Sequence, residues 1–358
     1  MEAFQHQTMS APFNEAPYIV LWELTRACAL ACRHCRADAI RRRDSRELSF
    51  EECERVLDEL AQFGRPLIVF TGGDPVWRPD LFQIIRAARE RKFTVAVTPS
   101  ATPRTTSNIV RALKEAGVAR LAVSLDGVDA ASHDSFRGVR GSFAWTNDII
   151  NWARAYQIPL QINTTIWRGN LPLFDQFVQF IGSANAVLWS VFFLVPTGRA
   201  QKEMQISSSE AETVLKKMAE VASLSSFDIK ATAAPHFRRV LMERMCSKDL
   251  VNLQPGMKLG ALRSYQSVND GKGILFISHI GDVYPSGFLP LSAGNVKDVS
   301  IARLYREHPL FVALRDPSLL KGKCGRCPYR EICGGSRARA FGDCGDYLAS
   351  DPLCSYAP

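Results

Sequence analysis

The sequence predicts an α/β protein: a partial (β/α)6 TIM-like barrel followed by a small, cysteine-rich α+β domain. Three observations carry this expectation. From Pro17 onward, short β-rich runs alternate with amphipathic segments, the pattern of βα units around a parallel sheet. From about Gln205 that rhythm breaks. Cysteines then gather in two places, three between residues 28 and 35 and five beyond residue 323.

Taken in order, residues 1–16 read as an N-terminal arm. Strands are predicted at Ile19–Leu24, Leu67–Thr71, Thr94–Thr98, Arg120–Ser124, Leu160–Thr165 and Val187–Val195. Helices are predicted between them, near 50–63, 80–91, 107–116, 144–156 and 172–183. The first helix shows the reasoning. Ser49 and Glu52 form a capping box, and Phe50, Cys53, Val56, Leu57 and Leu60 recur on one helical face. Cys53 is therefore a core residue and not a ligand. Six strands with five helices give a partial barrel over 17–205, with its site at the carboxyl ends of the strands. A bridging segment over 206–260 follows, with a helix at Ser207–Val221, a strand near Phe227–Lys230 and a helix near His236–Met245 that carries Cys246 on one face. In the final unit, 261–358, residues 273–285 read as a β-hairpin and Ile301–Leu314 as one short helix.

Composition narrows the function. At 358 residues, with 46% hydrophobic and 22% charged residues, the chain suits one large globular domain plus a smaller one. It has no apolar run of about 20 residues and no secretory signal, so no membrane role and a cytoplasmic, reducing location are expected. Ten cysteines in such a compartment point to metal binding before disulfides. The net charge of +8 favours an anionic partner. The basic residues are scattered, however, and Arg41–Arg43 read as a solvated loop. No basic stripe with interleaved aromatics argues for nucleic acid.

The chemistry starts at Cys28, Cys32 and Cys35, spaced C-x3-C-x2-C just past the first strand. Clustered thiolates favour iron–sulfur or zinc centres. A four-iron cube needs four ligands, so three cysteines leave one iron open to a small molecule. This spacing, with His34 in the penultimate position, resembles the radical S-adenosylmethionine (SAM) enzymes. In that family SAM chelates the open iron of a [4Fe–4S] cluster and is cleaved to a 5′-deoxyadenosyl radical, which abstracts hydrogen from substrate. Two further segments agree. Gly72-Gly73-Asp74-Pro75, ending the second strand, resembles the family's Gly-Gly-Glu-Pro motif, which holds the SAM amino group. Ser124 and Asp126, ending the fourth strand, with Arg137 beyond, resemble the segment that reaches the SAM ribose and carboxylate. Ser100, Asn163 and Thr164 are expected on the same rim, and Leu194–Arg199 beside the adenine.

The C-terminal set is Cys324, Cys327, Cys333 and Cys354. Four thiolates close a cluster and leave no open position, and a four-cysteine zinc site is chemically plausible from the same ligands. Cys333–Ala340 and Asp351–Cys354 resemble the SPASM/twitch extension of radical SAM enzymes, which implies an auxiliary [4Fe–4S] cluster. Ser336 and Ser286 stand where many relatives place cysteines, so one auxiliary cluster is expected. Cys344 competes with Cys354 as its fourth ligand. The string Gly334–Ala340, with Tyr284–Leu289 and Gly294–Val296, resembles the haem-biosynthesis branch of the family. The resemblance implies a tetrapyrrole-like substrate modified or oxidatively decarboxylated at a side chain, with Arg199, Arg337 or Arg339 clamping propionates. It also implies a ferredoxin- or flavodoxin-type electron donor. Modification of a ribosomally made peptide and a zinc-binding scaffold are the competing readings.

Overall fold

The computed structural model describes residues 13–246 and 268–358, with the side chains of residues 245 and 246 outside that description. Its strands are β1 (Ile19–Glu23), β2 (Leu67–Thr71), β3 (Val95–Val97), β4 (Arg120–Ser124), β5 (Leu160–Ile166), β6 (Leu188–Phe193), β7 (Asp228–Thr232), β8 (Ile274–Ile277), β9 (Asp282–Tyr284) and β10 (Gly294–Asn295). Helices α1 (Phe50–Ala61), α2 (Leu81–Glu90), α3 (Ser107–Glu115), α4 (Ala130–Arg137), α5 (Ser142–Ala155), α6 (Phe174–Ser183), α7 (Ser208–Leu224) and α8 (Phe237–Cys246) intervene. Strands β1 to β7 pair in sequence order and all run parallel, as βα repeats dictate. The α/β barrel predicted from the sequence is borne out.

The sheet goes further than six strands. β7 extends it beyond β6, and β8 pairs parallel with β1, Ile19 opposite Ile274. The hairpin β8–β9 and the short β10 thus continue the barrel sheet on the other side of β1. No strand of the 261–358 segment forms a sheet of its own among the described residues.

Burial follows the pleat. In β5, Leu160, Ile162, Thr164 and Ile166 are buried against the helices, while Gln161, Asn163 and Thr165 alternate onto the inner face. Thr164 accepts the Trp189 Nε1–H at 2.9 Å and so points away from the rim on which it was expected. Outside the sheet, α1 carries its capping box at Ser49 and Glu52, and buries Cys53, Val56, Leu57 and Leu60. Cys246 closes α8, and its side chain lies outside the described residues. Two local expectations are corrected. Helix α4 was not foreseen, and Ile301–Leu314 is two helices, Ile301–Glu307 and Pro309–Arg315. Pro309 lacks the N–H that a continuing helix needs, and His308 caps the second one. No helix among the described residues is long and apolar enough to cross a membrane.

Candidate active site

A cavity of about 230 Å³ opens at the carboxyl ends of the strands. Cys28, Cys32 and Cys35 line one side of it. The loop that carries them docks on α4: the Ala31 and Arg33 amides donate to the carbonyls of Arg137 and Phe136 at 3.2 and 3.0 Å. Those are carbonyls that a helix C-terminus leaves without intrahelical partners, so α4 is the seat of the loop. Each sulfur meets a polar hydrogen or hydroxyl. The Leu30 amide donates to Cys28 at 3.3 Å, the Ala39 amide to Cys35 at 3.4 Å and the Arg137 guanidinium to Cys32 at 3.6 Å. Ser100 Oγ lies 3.5 Å from the Cys28 sulfur. Burial, the largest cause, leaves the Cys28 thiol raised to about 11 and raises that of Cys32, and a cationic centre among the sulfurs would favour their thiolates.

Gly72 and Gly73 line the same cavity. A Cβ on Gly72 would stand 2.3 Å from the Thr25 carbonyl oxygen, and one on Gly73 2.5 Å from those of Arg26 and Ala27. The close backbone approach that the two glycines permit is therefore to the cysteine loop itself. Gly73 N–H and Asp74 N–H donate to Thr25 and Ala27 across that contact, at 2.7 and 2.8 Å.

Asp74 and Asp126 are expected from the sequence at the ligand, and the structure places both behind the cavity wall. The fully buried Asp74 carboxylate accepts from the Val76 and Ser100 amides and from the Thr102 hydroxyl, and burial raises its pKa to about 6. It shapes the wall by fixing Ser100, whose hydroxyl donates to the Gly73 carbonyl at 2.7 Å. Asp126 accepts from the Thr165 amide at 2.7 Å and pairs with Arg137 at 2.5 Å. Arg137 reaches the cavity and Asp126 holds it there. Ser124, Ser100 and Asn163 line the cavity as expected.

His34, Phe136 and Trp167 stack nearly parallel, with centroids 4.0 and 4.6 Å apart. Burial, with Arg137 and Arg199 nearby, holds the His34 pKa well below its usual value, so the ring is neutral. Another part of the lining is apolar and aromatic, built from Phe192, Phe193, Leu194, Val195 and Phe288. Arg199 also lines the cavity, beside the cysteine loop, its amide bonded to the Cys35 carbonyl at 3.0 Å. Its Nε lies 4.0 Å from the Asp38 carboxylate, and Nε and Nη2 are buried without hydrogen-bond partners among the described residues. His133 and Thr165 also line the cavity and were not foreseen. The signal for His133 is the capping pair Asp129 and Ser132 that starts α4; that for Thr165 is the period of two along β5.

Cys324, Cys327, Cys333 and Cys354 line a second, smaller cavity of about 20 Å³. The Asp351 amide and the Arg337 guanidinium donate to Cys324 at 3.4 and 3.7 Å, and the Gly335 amide to Cys333 at 3.4 Å. Cys344 is exposed at the end of helix Arg337–Cys344, its thiol donating to the Ala340 carbonyl away from this cavity. Ser336 caps that helix, and the Ser286 hydroxyl accepts from the Phe288 amide. Arg337 and Arg339 are buried and committed. Arg337 donates to the Gly335, Tyr347 and Ala349 carbonyls, and Arg339 pairs with Asp351 and donates to the Phe193 carbonyl. Neither is free to clamp a substrate, which corrects that expectation.

Both donor sets suit a cluster. Each set gathers on one cavity, and soft thiolates are the ligands of iron–sulfur centres.

Comparison with known proteins agrees. Residues 22–180 match the model of the radical SAM superfamily. An AdoMet-dependent heme synthase of Oleidesulfovibrio alaskensis is 39% identical over 342 residues, 95% of this chain and 87% of the relative. One of Methanosarcina barkeri is 37% identical over 349 residues, 96% of this chain and 98% of the relative. In fold, the chain resembles the crystal structure of Streptococcus suis SuiB bound to its precursor peptide SuiA. The TM-score is 0.72 at 15% identity, over 96% of this chain and 76% of that one. A full-length relationship at this identity, on a barrel whose first strand feeds three clustered cysteines into its mouth, leaves one assignment: the chain belongs to the radical SAM superfamily of iron–sulfur enzymes.

Proposed function

We propose that the enzyme removes a hydrogen atom from a propionate side chain of a haem precursor, with loss of the carboxylate as CO2. The observation that carries this reading is the apolar, aromatic part of the cavity wall. Aromatic and aliphatic side chains suit the face of a flat macrocycle. Arg199, lining the same cavity, offers a guanidinium fork of the shape that a carboxylate fits. The naming of full-length relatives as heme synthases supports the same substrate class.

In this reading Cys28, Cys32 and Cys35 hold a [4Fe–4S] cluster with one open iron. The Gly72 and Gly73 carbonyls would accept from the SAM ammonium group, and Ser124 would meet its ribose. Arg137, held by Asp126, faces its carboxylate. Cys324, Cys327, Cys333 and Cys354 hold a closed auxiliary cluster, within a unit spanning 261–358 after the 17–205 barrel. When bound, the first cluster and SAM supply the one-electron chemistry that takes a hydrogen atom from substrate. The chain's own residues position the partners. The neutral stack of His34, Phe136 and Trp167 keeps water from the cysteine side, and Arg199 fixes the carboxylate. Removing one hydrogen atom from the propionate and releasing CO2 leaves a vinyl group and one electron, so an electron acceptor is required. A cytoplasmic location and a ferredoxin- or flavodoxin-type reductant belong to the same proposal.

Anaerobically reconstituted protein, given dithionite, SAM and an iron porphyrin deuterated on its propionates, tests it. Deuterium in 5′-deoxyadenosine and a product lighter by the carboxylate are expected, and Cys28→Ala should abolish both. Transfer of deuterium only from a labelled peptide would replace the porphyrin reading with peptide modification.

A further inference from the structure

We infer that Arg337 is the counter-ion of the second cysteine set and poises the centre bound there at a higher potential than the first. The inference rests on the reading that Cys324, Cys327, Cys333 and Cys354 hold a cluster. Each cysteine set receives a hydrogen bond from one arginine: Arg137 to Cys32 at 3.6 Å, and Arg337 to Cys324 at 3.7 Å. The two arginines differ in what else they touch. Arg137 pairs with Asp126 at 2.5 Å, so Cys32 faces a guanidinium already neutralised by a carboxylate. Arg337 is 2% exposed and, among the described residues, donates to three carbonyls and the Cys324 sulfur. No carboxylate among the described residues contacts it, and Asp346, held by Lys321 at 2.7 Å, feels its charge from further off. The nearby buried Asp351 is engaged by Arg339 at 3.3 Å.

A buried cation with no carboxylate in contact is costly, so the thiolates beside it are its nearest balancing charge. Gly335 makes the contact possible. It sits at φ +67°, and a Cβ there would stand 2.5 Å from the Arg337 guanidinium and 3.1 Å from the Cys324 sulfur. One-electron reduction adds a negative charge to a cluster. A guanidinium in a low-dielectric site with no carboxylate in contact stabilises that charge and raises the potential. A centre poised this way is the better electron acceptor of the two.

The test is dye-mediated potentiometry followed by electron paramagnetic resonance on the full chain without SAM. The variant Cys28→Ala/Cys32→Ala/Cys35→Ala isolates the second centre, and Cys324→Ala/Cys327→Ala isolates the first. The second centre is expected at the more positive midpoint. In the first of these backgrounds Arg337→Gln should shift it negative at unchanged iron content, and Arg337→Lys should restore most of the shift. Equal midpoints for the parent and Arg337→Gln, or a second centre below the first, overturn the inference while leaving the cluster reading intact. If Arg337→Gln loses its iron, 15N-arginine labelling of the same background decides. A nitrogen coupling to the reduced centre is expected, and its absence refutes the contact. Zinc in place of iron in the second set would overturn the cluster reading, and the inference with it.

Discussion

Arg199, Arg337 and Arg339 carry the same charge, and burial separates what each can reach. Arg339 is held by Asp351 and the Phe193 carbonyl, and Arg337 by three carbonyls and a sulfur. Arg199 alone of the three lines the large cavity, with two nitrogens lacking hydrogen-bond partners among the described residues. If it holds a substrate carboxylate, Arg199→Gln removes a charge-assisted hydrogen bond worth roughly 1.5–3 kcal/mol. KM for the carboxylated substrate should then rise roughly tenfold to a hundredfold. Substrate-independent SAM cleavage and iron content should stay near the parent values. A KM that does not move would exclude Arg199 from substrate binding.

At the scale of elements, the site depends on a helix that the sequence did not announce. α4 runs only from Ala130 to Arg137, and its polar, weakly patterned residues hide it from a search for apolar periodicity. Its last carbonyls nevertheless seat the cysteine loop. Asp134 ties it to the next helix, accepting from the Gly141 and Phe143 amides and the Ser142 hydroxyl at 2.6–2.8 Å. Asp134→Ala leaves those donors at the start of α5 unpaired, and should cost about 2 kcal/mol in urea denaturation. Faster hydrogen exchange at the Ala31 and Arg33 amides should accompany it. Ser49→Ala, which uncaps the remote α1, should leave those two amides protected; equal loosening in both variants would refute the coupling. The strongly periodic elements, β1 to β6 and α1 among them, were legible because one apolar face identifies them. The cysteine sets were legible because thiol spacing is itself chemistry. Asp74 and Asp126 lie beyond the last residues of β2 and β4, where the period of two no longer assigns a face, whereas for Thr164 that period turns the side chain away from the cavity. Pairing of β8 with β1 joins residues some 250 apart in sequence, and nothing local encodes it.

Across the whole molecule, that pairing fastens the cysteine-rich C-terminal region onto the barrel. Glu23, at the end of β1, bonds both Arg36 of the cysteine loop and His279 of the β8–β9 turn, at 2.7 and 2.9 Å. A second fastening lies at the far side of the barrel mouth. His236, 1% exposed, stands with its ring centroid 6.4 Å from that of Phe193 and its Nδ1 3.9 Å from the Asp351 carboxylate. Neither ring nitrogen has a hydrogen-bond partner among the described residues. Burial dominates the opposing pull of Asp351 and, with Arg339 and Arg239 adding to it, lowers the His236 pKa to about 4. The unfolded chain binds this proton below about 6.5, and the folded chain refuses it until about 4. The contribution of His236 to stability is therefore present above pH 6.5 and lost as the pH falls toward 4, amounting to about 2 kcal/mol by pH 5. Denaturation of the cluster-free chain in urea at pH 7 and pH 5 should show a fall in stability that is smaller by about this amount in His236→Gln. Parallel losses in the parent and the variant would mean that His236 is protonated in the folded state at pH 5, and that the junction between barrel wall and C-terminal region carries a charge there.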